Sequence, residues 1–257
     1  MDSQAVRAKD KTHMVFTLGN IEIHAMGQRK GADEGGIIAE LLKHGGEEVE
    51  AELAKIFNDV LRGREQVPNY WKNSKILVLF KKGDRQQPEN YMPICITPIL
   101  YRLFSRVLLK RIHRKLEEAQ SKDQAGFRAN FGCIDHIFAI SAFAERTLGH
   151  SIPLWIATID FKKAFDSVDH VAIWKALLEQ GVKPVYVNML QRLYEGQKAS
   201  VQTDTRSSSF NIERGTKQGD PVSPILFNAV PEHLMREVKA KWKQRKYGFL
   251  IDECSEE

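Results

Sequence analysis

The sequence has little cysteine. Its three thiols, Cys95, Cys133 and Cys254, are odd in number and far apart in 257 residues. A disulfide framework is excluded as a main stabiliser, and a reducing, intracellular setting is the expectation. Long apolar runs are absent as well. The longest, Ile76 to Phe80, is strand-sized, against the roughly 18–20 residues of a membrane span, so no membrane partner is expected. The first thirty residues show no apolar h-region followed by a small-residue cleavage site, which gives secretion no support. There is no repeat, no low-complexity segment and no Gly-x-x-x-x-Gly-Lys-Ser/Thr loop. Cys133-x-x-His136 lacks a second ligand pair at zinc spacing and reads as structural. These absences count against a kinase-type P-loop enzyme and a Cys/His metal enzyme.

What is present describes a globular chain. It is 42% hydrophobic and 28% charged, with a net charge of +5. Its length suits one large domain or two small ones. The charge is unevenly placed. From Lys72 to Arg128 there are 13 Lys and Arg against five acids, so this segment carries +8 and the remainder −3. Such a stretch is either a solvated helix face or a surface for a polyanion.

Periodicity predicts helices over 37–43 and 49–62, separated by Gly45-Gly46. Lys75 to Phe80 reads as a strand ending in the turn Lys81-Lys82-Gly83-Asp84. Pro88, Pro93 and Pro98 hold the next stretch extended or looped. Pro98 then opens a long helix, Ile99 to Ala119. Its apolar stripe is Ile99, Leu100, Leu103, Phe104, Val107, Leu108, Ile112 and Leu116; its other face carries Arg102, Arg106, Lys110, Arg111, Arg114 and Lys115. Another helix is expected over 134–147. Trp155 to Ile159 reads as a buried strand, and Val171–Gln180 and Val185–Tyr194 as helices, the first capped by Asp169 and followed by Gly181. Ala199–Thr203 and Ser209–Glu213 form a hairpin. Pro221 to Trp242 has a helical period that Pro231 should kink. The fold class is α+β.

Two segments carry chemistry. In Ile159-Asp-Phe-Lys-Lys-Ala-Phe-Asp-Ser-Val-Asp169, Asp160 stands where an apolar strand ends. A carboxylate fixed there is either a Mg²⁺ ligand or the cap of the following turn. Asp166 and Asp169 suit the capping of the next helix. In Arg214-Gly-Thr-Lys-Gln-Gly-Asp-Pro-Val-Ser-Pro224, two glycines let a ligand approach the backbone. Gln218 offers an amide, and the helix that follows offers its positive end to a phosphate.

In this order the two segments resemble reverse transcriptases of non-LTR (LINE-type) retrotransposons, over about Arg29 to the end. Lys30 to Glu40 is similar to the family's leading motif. Trp71-Lys72, Lys81 to Asp84 and Asn90-Tyr91-x-Pro93-Ile94 are similar to its first fingers motif, and Gln124 to Arg128 with Asp135-His136-Ile137 to its second. Residues 159–169 resemble polymerase motif A, and 217–224 motif B.

The resemblance implies a right-hand fold with fingers and a partial, antiparallel palm sheet packed on helices. Residues 1–28, which show no sustained period, read as a poorly ordered arm, and the resemblance implies fingers over 29–150 and palm over 151–257. The implied chemistry is RNA-directed DNA synthesis: transfer of deoxynucleotides from their triphosphates to a DNA primer on an RNA template, with two Mg²⁺ ions. Asp160 matches a metal ligand, with the Phe161 carbonyl beside it. Phe165 matches the steric gate against a 2′-hydroxyl, although a core aromatic would look the same. Gln218 and Gly219 match the nucleotide pocket. Lys72, Lys75, Lys81 and Lys82 are candidates for triphosphate or backbone contacts, and the sequence does not choose among them. Arg128, Arg106, Lys110 and Arg114 are candidates for the template.

Three positions depart from the family. Met92 stands where an arginine is usual, and Pro231 lies in the helix after motif B. Motif C, an adjacent aspartate pair, is missing, so the domain is expected to be cut short and inactive as this chain. Leu250-Ile-Asp-Glu253 reads as the strand before motif C rather than as its substitute. A non-enzymatic nucleic-acid-binding remnant is the alternative.

Overall fold

The computed structural model describes residue 23, residues 32–33 and residues 35–247. Apart from Ile23, which is buried in the core, the expected arm lies outside the described residues, as do Lys30 and the strand expected at Leu250–Glu253. Among the described residues the elements are α1 (Ala39–Lys43), α2 (Gly46–Arg62), α3 (Asn69–Lys72), β1 (Asn73–Phe80), β2 (Tyr91–Ile96), α4 (Ile99–Ala119), α5 (Cys133–Gly149), α6 (Ala164–Ser167), α7 (His170–Glu179), α8 (Pro184–Tyr194), β3 (Lys198–Gln202), β4 (Phe210–Asn211) and α9 (Ser223–Gln244).

Local signals set most of these boundaries. Pro98 precedes α4 with no helical N–H to lose. Asp169 caps α7, its Oδ1 accepting the Val171 N–H at 2.7 Å. Gly63 closes α2 in the left-handed conformation. Arg192 of α8 donates to the carbonyls of Val60 at 2.7 Å and Glu65 at 2.9 Å, so a cation meets the open end of α2. The core gathers the apolar faces of α2, α3, α4, α7, α8 and the first half of α9. At its centre Phe57, Trp71 and Phe104 pack with ring centroids 5.1–5.9 Å apart. α9 runs on through Pro231 as one helix.

Among the described residues one sheet forms, in the order β2-β1-β3-β4. It is mixed, not the antiparallel sheet expected. β1 pairs antiparallel with β2 and parallel with β3, Asn73 facing Lys198 and Leu77 facing Gln202. Parallel neighbours need a crossover, here the whole helical run from α4 to α8. Two strands come from each side of residue 150. Pro93 fits inside β2 because β2 is the edge strand. The Cys95 N–H points outward to the Gln218 carbonyl at 2.9 Å, so Pro93, two residues earlier, lacks a donor on the same unladdered side.

The expected buried strand at Trp155–Ile159 does not form. Residues 152–161 have no regular structure, and Trp155 is 94% and Ile159 82% exposed. Extended backbone becomes a strand only beside a partner ladder, and none of the four strands pairs with this segment. α5 also stands off the core: Ile134, Ile137, Phe138, Ile140 and Leu148 are exposed.

Phe104→Ala should cost about 3–5 kcal/mol, because it opens a cavity among rings that cannot close over it. Leu148→Ala, on an exposed face, should stay within about 0.5 kcal/mol. Urea unfolding of the two variants checks the contrast.

Candidate nucleic-acid and nucleotide site

The Arg214–Asp220 loop is wedged between α6 and the edge of β2. Gly215 N–H donates to the Val168 carbonyl at 2.7 Å and Thr216 N–H to the Phe165 carbonyl at 2.7 Å. His170 Nε2 lies 2.9 Å from the Gly215 carbonyl oxygen. Gly215 has φ +86°, and a Cβ there would fall 2.7 Å from the Asp166 carbonyl oxygen, so only glycine allows this contact. Gln218 holds both sides: its carbonyl accepts from Cys95, and its Nε2 donates to Asp166 Oδ1 at 3.3 Å. Burial raises the Asp166 pKa, against the opposing pull of Gln218 and Lys163. The tail of the 159–169 segment and the 214–220 loop are therefore brought together.

The loop ends in a carboxylate that sequence reasoning passed over. Asp220 is buried, with Tyr101 Oη donating to its Oδ2 at 2.6 Å and Ser105 Oγ donating to its Oδ1. Tyr101 and Ser105 stand one turn apart on α4, and both are fully buried although neither belongs to the apolar stripe. Desolvation raises the Asp220 pKa, opposed by these two hydroxyls and by Lys217. Lys217 is buried too, its Nζ 4.1 Å above the Tyr101 ring and without a hydrogen-bond partner. Desolvation lowers the Lys217 pKa, and the charges of Cys95 and Asp220 oppose that. The one signal in the sequence was an i, i+4 pair of hydroxyls interrupting an apolar stripe.

Two cavities flank the β1–β2 ribbon. One, of about 490 Å³, is lined by Asp33, Asn73, Lys75, Ile94, Arg102 and Gly219 among others. Lys75 and Gly219, both singled out in the sequence, meet here. Arg102 is the cation that the sequence placed only on a helix face. It is half-buried, and its Nε has no hydrogen-bond partner. Burial, then the neighbouring Arg106, lowers its pKa. Asp33 fixes the wall: its Oδ1 accepts from Gly35 and Ile37, and its Oδ2 from the Ile99 N–H at 2.9 Å at the start of α4. The second cavity, about 300 Å³, lies on the opposite face and is lined by Ile76, Pro93, Cys95, Asp166, Lys217 and Gln218 among others.

The remaining expected residues are dispersed. Asp160 and Phe161 lie on the exposed 152–161 segment and line neither cavity. Phe165 is stacked on Phe227 at 4.8 Å and meets Phe127 edge-on at 5.6 Å. Lys72 is half-buried at the end of α3, and Lys81 and Lys82 are exposed at the β1–β2 turn. Arg128 is turned inward. It bonds Glu117 at 2.8 Å and the carbonyls of Ser121 and Gln124, and lies over the Phe131 ring. Arg106 is half-buried and Lys110 exposed on α4, and Arg114 is bonded to Glu118 at 2.9 Å. Met92 is exposed on β2. No helix among the described residues is long and apolar enough to cross a membrane.

Comparison with known proteins identifies the family. The family described as "Reverse transcriptase (RNA-dependent DNA polymerase)" matches residues 80–254. The Pol polyprotein of the type-2 retrotransposable element R2DM of Drosophila melanogaster is 31% identical over 176 residues, covering 68% of this chain and 16% of that protein. The corresponding protein of the type-1 element R2 of Popillia japonica is 30% identical over 178 residues, covering 68% and 24%. The RNA-directed DNA polymerase from mobile element jockey of Drosophila funebris is 30% identical over 183 residues, covering 68% and 19%. The chain thus spans between 16% and 24% of the length of these relatives.

Asp220→Ala should destabilise the fold by about 3–5 kcal/mol, since it leaves the buried hydroxyls of Tyr101 and Ser105 without their acceptor and removes a charge that offsets buried Lys217. Lys217→Met combined with Asp220→Asn should cost less than Asp220→Ala alone. Because the folded Asp220 pKa lies above its unfolded value, its contribution favours folding below the unfolded pKa and fades as pH rises through the folded one. Denaturant midpoints across that range, compared between wild type and Asp220→Asn, check the sign.

Proposed function

The chain belongs to the reverse transcriptase (RNA-dependent DNA polymerase) family, related to the enzymes of non-LTR retrotransposons, and from that membership we propose that it handles an RNA template, a DNA primer and deoxynucleoside triphosphates. In this reading residues 29–150 serve as fingers and 151–257 as part of the palm. The observation that carries it is the 490 Å³ cavity in which Lys75, Arg102 and the Gly219 backbone converge. Two cations beside an open glycine suit a phosphate of the triphosphate or of the template. Lys81 and Lys82 extend the same field along the ribbon, and Arg106, Lys110 and Arg114 extend it along α4. Phe165, held between Phe127 and Phe227, is rigid enough to act as a gate against a 2′-hydroxyl.

The family's chemistry uses two Mg²⁺ ions, which stabilise the attacking and leaving oxygens. The described residues do not fit such a centre. No group of three or more His, Cys, Asp and Glu among them could hold a metal. Asp160 is exposed and belongs to no such group, and the sequence contains no adjacent aspartate pair. This favours a second reading for these residues by themselves: a nucleic-acid-binding part of the polymerase, which binds without turnover.

With a primed RNA template, Mg²⁺ and deoxynucleotides, this chain should give no extension above background; extension that Asp160→Ala abolishes would contradict the second reading. Binding to the primer–template should weaken with salt. Lys75→Gln with Arg102→Gln should reduce affinity and lower the salt slope by about 0.9 for each phosphate no longer neutralised. An unchanged slope would remove the cavity from the interface.

A further inference from the structure

The β1–β2 ribbon has two chemically different faces. Direct cross-strand partners share a face, so Ile76 with Cys95, Val78 with Pro93 and Phe80 with Tyr91 form one side. The inner end of this side forms the wall of the 300 Å³ cavity through Ile76, Pro93 and Cys95. Its outer end is open: Phe80 is 38% exposed and Tyr91 half-buried. The two rings lie 5.5 Å apart at 63°, an edge contact rather than a stack, and Phe80 keeps over a third of its surface exposed. The Arg85 guanidinium lies 5.1 Å from the Phe80 centroid.

The turn that carries these groups is already ordered. Tyr91 Oη donates to the Arg85 carbonyl at 3.0 Å, and Asn90 Nδ2 to the Asp84 carbonyl at 2.8 Å. Asp84 Oδ1 accepts the Gln86 N–H at 2.9 Å, and Lys81 N–H donates to the Asn90 carbonyl. Little further ordering is needed when a ligand meets the rings. Between Lys72 and Met92 five cations (Lys72, Lys75, Lys81, Lys82 and Arg85) face two acids, Asp84 and Glu89. Exposed aromatic faces interleaved with cations complement a strand that is polyanionic along its backbone and aromatic in its bases. An apolar protein segment would leave those cations unmatched, and an acidic one would leave the ring faces unused.

We propose that Phe80 and Tyr91, with Arg85, Lys81 and Lys82 around them, form a stacking platform for an unpaired nucleotide of the template strand, on the face of the ribbon opposite the Lys75–Arg102 cavity. This rests on the reading of the chain as a template-binding protein, and the two are separable by choice of probe. Fluorescence anisotropy of this chain would be measured with a blunt RNA–DNA duplex and with the same duplex bearing a short 5′ overhang on the template. The overhang should tighten binding at least about fivefold, the gain of one stacked base. Phe80→Leu with Tyr91→Leu should abolish that gain while leaving the blunt-duplex affinity and the salt slope unchanged. Phe80→Trp with Tyr91→Phe should keep the gain. Equal wild-type affinity for both probes, a gain that survives the leucine variant, or a loss falling equally on both probes would overturn the platform and leave the cavity reading standing. Binding of neither probe would overturn both.

Discussion

The arrangement of this chain depends on one buried carboxylate. Asp220 is withdrawn from water beneath α4, where it is held by the hydroxyls of Tyr101 and Ser105 and by the field of Lys217. Burying such a charge is unfavourable by several kcal/mol unless hydrogen bonds and a counter-charge offset it. Here the hydrogen bonds come from an element more than a hundred residues earlier, and the counter-charge from the loop itself. The bond therefore sets the distance between α4 and the 214–220 loop. That loop in turn seats β2 through Gln218 and α6 through Gly215 and Thr216. Each cavity takes part of its wall from this chain of contacts.

Much of the fold was legible because its causes are local. The bounds of α4 follow from Pro98 and a long apolar stripe, the start of α7 from an aspartate cap, and β1 from a short apolar run. The illegible parts were those where a distant partner decides. Tyr101 and Ser105 interrupt a stripe for no reason visible within the helix. Asp33 looks like a loop residue until its Oδ2 meets the Ile99 amide. Trp155–Ile159 has the composition of a strand, but composition supplies no neighbour, and the described chain leaves the segment outside the sheet. The parallel pairing of β1 with β3 has no local signature at all.

The candidate site divides along the same line. Its residue types came from the order of motifs, and the structure sorts them by environment. Lys75 and Gly219 share a cavity, Gln218 joins two elements, and Arg128 spends its charge on Glu117 and two carbonyls. Arg102 entered only through burial, which left its Nε facing no protein acceptor. The basic segment is thus partly structural cement and partly outward field, a distinction that a charge count does not make.

The parallel β1–β3 pair also bears on how the chain is made. β3 follows β1 by about 125 residues, which at roughly 5–20 residues per second separates their synthesis by about 6–25 s. During that interval the ribbon of β1 and β2 can form alone, since its register is antiparallel and short-range. The flank of β1 that will receive β3 has no partner yet, and Ile76, Leu77 and Val78 lie along it. An open apolar edge is a template for pairing with other chains. The nascent protein thus passes through a stage in which one flank of β1 is open to other chains, and that flank is covered only once residues near 200 have left the ribosome.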